Sequence, residues 1–331
     1  MGGTRLARVG RALLLLAGIA LAAYLVYEVG PATVWAAVRT LSWRLAIVLV
    51  FPYSLSTTLD TIGWRFTFHP RPAPFLPTWL ARIAGEAVNA TTPTASVGGE
   101  PVKAFLLRRW VPLPQGLASV VLDKTTMVMA QGAFLVVGLT LATLVVTASP
   151  TLVRAMTVLL VVEALAVGGF VLAQLVGMAG RGGRLLARFG FSPGATGQEK
   201  LDGLDRSLTG FYRERPRRVI AAVFFHLLSY LAGSLEIYLV LNFLGLPVSL
   251  VNAVVMESFG SAVKFASFMV PASIGALEGG NVAIFAAFGL GGGVGLAYTL
   301  IRRLREATWA LAGFVAWTVL SRHAAEPPSL A

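Results

Sequence analysis

The chain has 331 residues, of which 56% are apolar and only 13% charged, with a mean hydropathy of +0.76. A soluble domain carries roughly twice that charge, and so even an apolar surplus leaves no stretch for a soluble catalytic domain of about 100 residues. There is no cysteine, which excludes disulfides and thiolate metal sites; His69, His226 and His323 stand far apart with no His-Glu-x-x-His, which argues against a zinc hydrolase.

The net charge of +12 gathers in loops between apolar runs. That is the pattern of cytoplasmic loops facing anionic lipid rather than of a nucleic-acid binder. Along the chain, Arg5, Arg8 and Arg11 precede an apolar run from Ala12 to Val26. A cleaved signal peptide is the rival reading, with Ala20-Leu21-Ala22 as its cleavage site. A first transmembrane helix with its N-terminus inside fits the run's length better.

A second run, Leu45–Trp64, holds Pro52 and Asp60 and ends at a Pro-rich stretch, Pro70 to Pro77, with Arg65, His69 and Arg71 nearby. Trp79–Asn89 is amphipathic and leads into Thr91 to Glu100, then Pro101 to Arg109. This segment is too polar and broken for a simple span and predicts a re-entrant element shielded from lipid by other helices. Gly116–Val146 is apolar apart from Asp123-Lys124, and Leu152–Met178 holds Glu163. Residues 180–218 form the largest polar loop, with nine basic residues against four acidic, and are expected on the cytoplasmic side.

Val219–Phe243 carries His226 and Glu236, and Leu250–Val270 carries Glu257 and Lys264. Pro271 to Gly280 forms a second break. Asn281–Ala297 is apolar and Gly-rich, with Gly291-Gly292-Gly293 read as a loop, and Arg302, Arg303, Arg305 and Glu306 precede a last span to about Leu320. The reading is all-α: a polytopic transmembrane helical bundle of six to eight spans with two broken or re-entrant elements. Residues 1–322 make one integral membrane domain, and 323–331 a disordered tail.

The two broken regions resemble each other. Ser96-Val97-Gly98 parallels Ser273-Ile274-Gly275, Glu100-x-x-Lys103 parallels Glu278-x-x-Asn281, and Gly116-Leu117-Ala118 parallels Gly295-Leu296-Ala297. Beyond each Ala comes a charged pair, Asp123-Lys124 or Arg302-Arg303, and Glu86 and Glu257 lie upstream of each break. The matches are collinear, which favours a duplication, with halves of about 1–150 and 151–322. Transporters built from duplicated halves place their sites where broken helices meet.

A charge at the bilayer centre costs on the order of 3 kcal/mol. The many charges in these apolar runs must therefore face one another or an aqueous path. Asp123 and Lys124 point about 100° apart on a helix and need partners on other elements; Arg302 or Arg303 is the expected partner of Asp123. Glu100 and Lys103 can pair locally if their segment is helical. Glu163 and Glu236 look isolated and close to an interface. The candidate pathway is Glu86, Asn89, Ser96, Glu100, Lys103, Asp123, Lys124, Glu257, Lys264, Ser273, Glu278, Asn281, Arg302, Arg303 and Glu306. Arg and Lys would hold a lipid phosphate while carboxylates balance charge. The structural alternative is buried ion pairs that fix helix register.

Glu86-Ala87-Val88-Asn89 with Thr92-Pro93, Gly99-Glu100-Pro101-x-Lys103, Asp123-Lys124, and Pro271-x-Ser273-Ile274-Gly275-Ala276-Leu277-Glu278-Gly279 resemble the signatures of a known family. It is the lysylphosphatidylglycerol synthase transmembrane region, or flippase-like membrane proteins, and the resemblance covers nearly the whole chain. It implies movement of a phospholipid across the bacterial inner membrane. The soluble aminoacyl-transferase half lies outside this resemblance, so lysyl transfer is not expected. The stretch Thr92 to Lys103 looks closest to a hopanoid-associated branch, which implies hopanoid handling.

The expectation is a lipid translocase, not an enzyme, whose partners are phospholipid or hopanoid and, as candidates, lipid-synthesis enzymes. No cofactor, metal or nucleic acid is expected, and no Gly-x-x-x-x-Gly-Lys-Ser/Thr motif is present. The rivals are an intramembrane enzyme using Glu86, Glu100, Glu257 and Glu278 as acid-base groups, and a scaffold recruiting enzymes through residues 180–218.

Overall fold

A computed structural model describes residues 42–92, 98–146, 149–177, 194–267 and 275–323, with Arg39, Gly180, Arg181, Arg184 and Ser273 besides. The expected first span Ala12–Val26, residue Ser96, and the tail beyond His323 lie outside the described residues. Among the described residues there are ten helices: α1 (Arg44–Thr67), α2 (Phe75–Thr91), α3 (Gly99–Leu106), α4 (Leu113–Leu144), α5 (Pro150–Leu175), α6 (Gly194–Glu214), α7 (Pro216–Phe243), α8 (Leu250–Ala266), α9 (Ala276–Ala287) and α10 (Gly292–His323).

Local chemistry sets many of the boundaries. Proline opens α5 and α7, where its missing N–H falls on a position with no intrahelical partner. Ser149 and Ser249 cap α5 and α8 by accepting the backbone N–H of Leu152 and Asn252. Glu278 accepts the Gly275 N–H at 2.7 Å, closing the start of α9 over a glycine with φ of 80°. Gly289 and Gly291 also take positive φ in the turn between α9 and α10. The expected Gly-rich loop is therefore shorter than read: Gly292 and Gly293 already belong to α10.

Helices α1, α4, α5 and α7 are long and apolar enough to cross a membrane. That establishes a membrane-spanning helical protein, with four such helices among the described residues; the expected first span of the six to eight lies outside them. Helix α10 has 32 residues but carries Arg302, Arg303, Arg305 and Glu306 in its first half. The predicted polar loop 180–218 is corrected in part, because 194–214 is the amphipathic helix α6. Its Leu208 and Phe211 are buried against Leu122 of α4, so polar composition concealed an apolar stripe.

Helix α7 lies along α1, α10 packs on α2 and α9, and α4 touches α3, α5, α7 and α8. One apolar cluster gathers Trp64, Phe68, Ala84, Leu106 and Ala316; another gathers Ile237, Met256, Phe285 and Tyr298. Between helices in lipid, close packing and polar contacts hold the structure, since lipid tails are as apolar as the side chains. Small residues do this work at Gly313, whose Cα lies against the Ile83 carbonyl and Ala87 of α2. Ser56 and Ser229 bind α1 to α7 reciprocally, each hydroxyl donating to the other's carbonyl at 3.2 and 3.0 Å.

Helix lengths recur along the chain. Helices α1 to α4 have 24, 17, 8 and 32 residues, and α7 to α10 have 28, 17, 12 and 32.

Candidate functional site

The first group of charges sits where α1, α2, α3, α4 and α7 meet. Arg82, 1% exposed, donates one nitrogen to both Asp123 oxygens at 2.8 Å and to the Asp60 carbonyl at 3.0 Å. This corrects the expected pairing of Asp123 with Arg302 or Arg303. The partner comes from the neighbouring helix α2, whose amphipathic reading had hidden Arg82. His226, fully buried, lies between two carboxylates: Nδ1 is 2.7 Å from Asp60 Oδ1 and Nε2 is 3.1 Å from Asp123 Oδ1.

One helical step away, Lys124 turns to the other side of α4 and comes within 3.5 Å of Glu100, as the angle between neighbours requires. Lys103 is fully buried and donates to Glu86 at 2.7 Å and to Glu100 at 3.1 Å. The expected Glu100–Lys103 pair is thus present. Asn89 ties the break together: its amide nitrogen donates to Glu100 at 3.2 Å, and its oxygen accepts the Gly99 N–H at 2.7 Å. The other Glu100 oxygen is buried without a hydrogen-bonding partner.

Two glycines make this junction possible. A Cβ on Gly99 would run into the Gly85 carbonyl, and one on Gly85 would run into the Lys103 stem. Gly99→Ala is expected to lower stability by about 1–3 kcal/mol through overpacking. Thermal unfolding in detergent checks it; an unchanged midpoint would contradict the close approach.

The second group sits where α7, α8, α9 and α10 meet. Arg302 grips Glu257 with two bonds at 2.9 and 3.0 Å and also donates to the Tyr298 hydroxyl at 3.0 Å. Arg303 donates to Glu278 at 2.8 Å and to Glu306 at 2.9 Å. Arg305 donates to Glu236 at 2.7 Å and stacks over Tyr53, 4.6 Å from the ring centroid. Glu236 is therefore buried and paired rather than isolated. Lys264 is half exposed and 3.8 Å from Glu306. Asn281 stands apart from the charges, donating to Thr299 at 2.8 Å, so its contact is structural. Ser273 is buried with φ of 51°.

The two groups share a pattern. Arg82 and Glu257 are the eighth residues of two 17-residue helices; Asp123 and Arg302 are the eleventh residues of two 32-residue helices. Each eighth residue pairs with the corresponding eleventh, with the charges exchanged. The twelfth residues, Lys124 and Arg303, each reach back to the glutamate at the start of the preceding short helix, Glu100 or Glu278.

Between the groups, Tyr53 lies within electrostatic reach of Asp60 and Glu86 on one side and Arg305 and Glu306 on the other. Gln131 donates to the Ser261 carbonyl at 2.9 Å and accepts from the Tyr230 hydroxyl at 3.2 Å, joining α4, α7 and α8.

Glu163 of α5 is only 1% exposed, and neither carboxylate oxygen has a hydrogen-bonding partner. It is thus isolated from other charges, as expected, and packs toward Gly132 of α4. Glu163→Leu, similar in volume, is expected to raise stability by about 1–3 kcal/mol by removing an unsatisfied buried group. A lower thermal midpoint would show that the carboxyl is held by something of value.

A cavity of about 400 Å³ opens between the end of α1, the start of α4 and α6. His69, Arg206, Glu214 and Arg215 line it together with Ser119, one turn before Asp123, and Leu122, the residue next to it. Arg206 and Arg215 were read only as loop charge; no local sequence signal placed them opposite α4.

The fold and charges define a multi-helix integral membrane protein in which two groups of buried ion pairs join its helices. A family model described as the lysylphosphatidylglycerol synthase TM region matches residues 11–315, and the chain belongs to that family. No curated protein and no solved structure matches the chain.

Proposed function

We propose that the protein is a lipid translocase of the bacterial inner membrane, guiding the polar headgroup of a phospholipid or hopanoid past the two charge groups. The observation that carries this reading is that each group has a buried heart and an accessible rim. Lys103 and Asp123 are about fully buried, while the side chains of Glu86 and Lys124 keep 33% and 34% of their surface. In the second group Arg303 is buried, while Glu278, Glu306 and Lys264 keep 27%, 22% and 52%. A purely structural ion pair has no need of such a rim; a headgroup path does.

Membership of a family named for the membrane region of a lipid synthase supports a role with membrane lipids. The recurring helix lengths and the exchanged Arg82–Asp123 and Glu257–Arg302 pairs support two duplicated halves, each with one broken element. The cavity lined by Arg206 and Arg215 supplies cations for a lipid phosphate beside the first group. The basic charge of 180–218 supports a cytoplasmic position for that side, with the N-terminus on the same side, and suits a surface for lipid-synthesis enzymes.

Translocation is favoured over intramembrane catalysis. Glu86, Glu100, Glu257 and Glu278 are each engaged by Lys or Arg, so the four carboxylates that the enzyme reading would use are already taken up in ion pairs. The test is movement of fluorescent phosphatidylglycerol between leaflets of proteoliposomes. Flipping above the protein-free background is expected; conversion of the lipid to a new species without flipping would favour the enzyme.

A further inference from the structure

Both ring nitrogens of His226 face carboxylate oxygens, at 2.7 Å to Asp60 and 3.1 Å to Asp123. A neutral imidazole has one N–H and one lone pair. Placed here it can donate to only one carboxylate and must turn its lone pair on the other. An imidazolium keeps its N–H to Asp60 and sets a positive charge beside Asp123, whose oxygen lies 3.1 Å from Nε2 outside hydrogen-bond geometry.

Charge balance points the same way. Asp60 and Asp123 bring two negative charges, and Arg82 brings one positive charge. With a neutral ring the site holds one net negative charge out of water; with one added proton it is neutral. An uncompensated charge in the membrane interior is the costly state.

The surroundings fit a site that binds and releases a proton. Helix α1 contributes Asp60 and backs the ring with Gly63, α4 contributes Asp123, and α2 contributes Arg82. On α7 itself Tyr230 comes one turn later, with Asp60, Glu86, Glu163 of α5 and Glu257 of α8 within its electrostatic reach. His226 and Asp123 are closed off at 0% and 1%, but the Asp60 side chain keeps 15% of its surface. Asp60 is thus the one of the three whose side chain keeps an accessible surface.

We infer that Asp60, His226 and Asp123 form a proton-binding site, and that proton exchange there drives movement of the headgroup past the first charge group. The inference rests on the translocase reading for its second half only. In the loaded state the ring carries a proton on each nitrogen. Release through Asp60 returns one proton to water and leaves the site with one negative charge, which a rearrangement of Arg82 or Lys124 must meet.

Two measurements test it. In the first, proteoliposomes of phosphatidylethanolamine and phosphatidylglycerol carry a trace of fluorescent phosphatidylglycerol and an internal pH dye. A gradient of about two pH units across pH 6–8, the range in which histidine titrates, is imposed or omitted. The gradient is expected to change the flipping rate severalfold, and His226→Gln, checked for folding by gel filtration, to lose that response. Equal rates with and without the gradient would overturn proton driving while leaving the translocase reading intact. Absence of flipping under both conditions would instead overturn the translocase reading.

The second measurement needs no transport. The chain has three histidines, so ¹⁵N-histidine spectra in nanodiscs assign His226 by comparison with His226→Gln. Two protonated ring nitrogens at low pH and loss of one as the pH rises are expected. A single neutral tautomer throughout would overturn the proton site itself.

Discussion

Arg82→Glu is expected to destabilise the protein by about 3–5 kcal/mol, because it leaves Asp123 buried beside a second negative charge. Asp123→Arg alone should cost about as much for the mirror reason. The double exchange should regain a substantial part, a coupling of about 0.5–3 kcal/mol. The protein already carries this pair in the reversed sense: Glu257 on the 17-residue α8 holds Arg302 on the 32-residue α10. Asp60 remains in the double variant to hold His226. Thermal unfolding of the three variants in detergent decides. A double variant no better than the sum of the singles would contradict the equivalence of the two pairs.

Lys103→Met should be nearly as damaging, at about 3–5 kcal/mol. Lys103 is fully buried, lies across Gly85, and serves both Glu86 and Glu100. Methionine fills much the same space and strands both carboxylates. Adding Glu100→Gln to Lys103→Met should recover part of the loss, since the amide removes the more deeply buried charge while keeping its shape. Adding Glu86→Gln should recover less, because the Glu86 side chain keeps a third of its surface and water already screens it. Equal rescue by the two would mean that both carboxylates see the same environment.

The apolar helices were legible because length and hydropathy are local properties: α1, α4, α5 and α7 fall close to the runs read from sequence. Helix α6 was not, since its apolar stripe around Leu208 and Phe211 is narrow and diluted by charge. The local Glu100–Lys103 pair followed from a spacing of three. Pairs between distant helices did not. Glu236 looked solitary because Arg305 lies 69 positions away. Asp123 was assigned to the wrong arginine because Arg82 was counted as one polar residue of an amphipathic helix. The signal that would have found it is the shared eighth position of α2 and α8, which shows only once helix starts are known. His226 and Asp60 were visible as charges in apolar runs, but only the packing of α7 along α1 sets them 2.7 Å apart.

The central claim is that the two glutamates in the first turns of the short helices α3 and α9, Glu100 and Glu278, belong to a path for lipid headgroups. Its most direct test is leaflet exchange of fluorescent phosphatidylglycerol in proteoliposomes, comparing wild type with Glu100→Gln and Glu278→Gln at matched reconstitution. Each change weakens charge-assisted bonds to Lys103 and Lys124, or to Arg303, worth about 1.5–3 kcal/mol apiece. If those bonds re-form as a headgroup passes, each rate should fall by about tenfold or more. Both variants folding and flipping lipid at the wild-type rate would contradict the account.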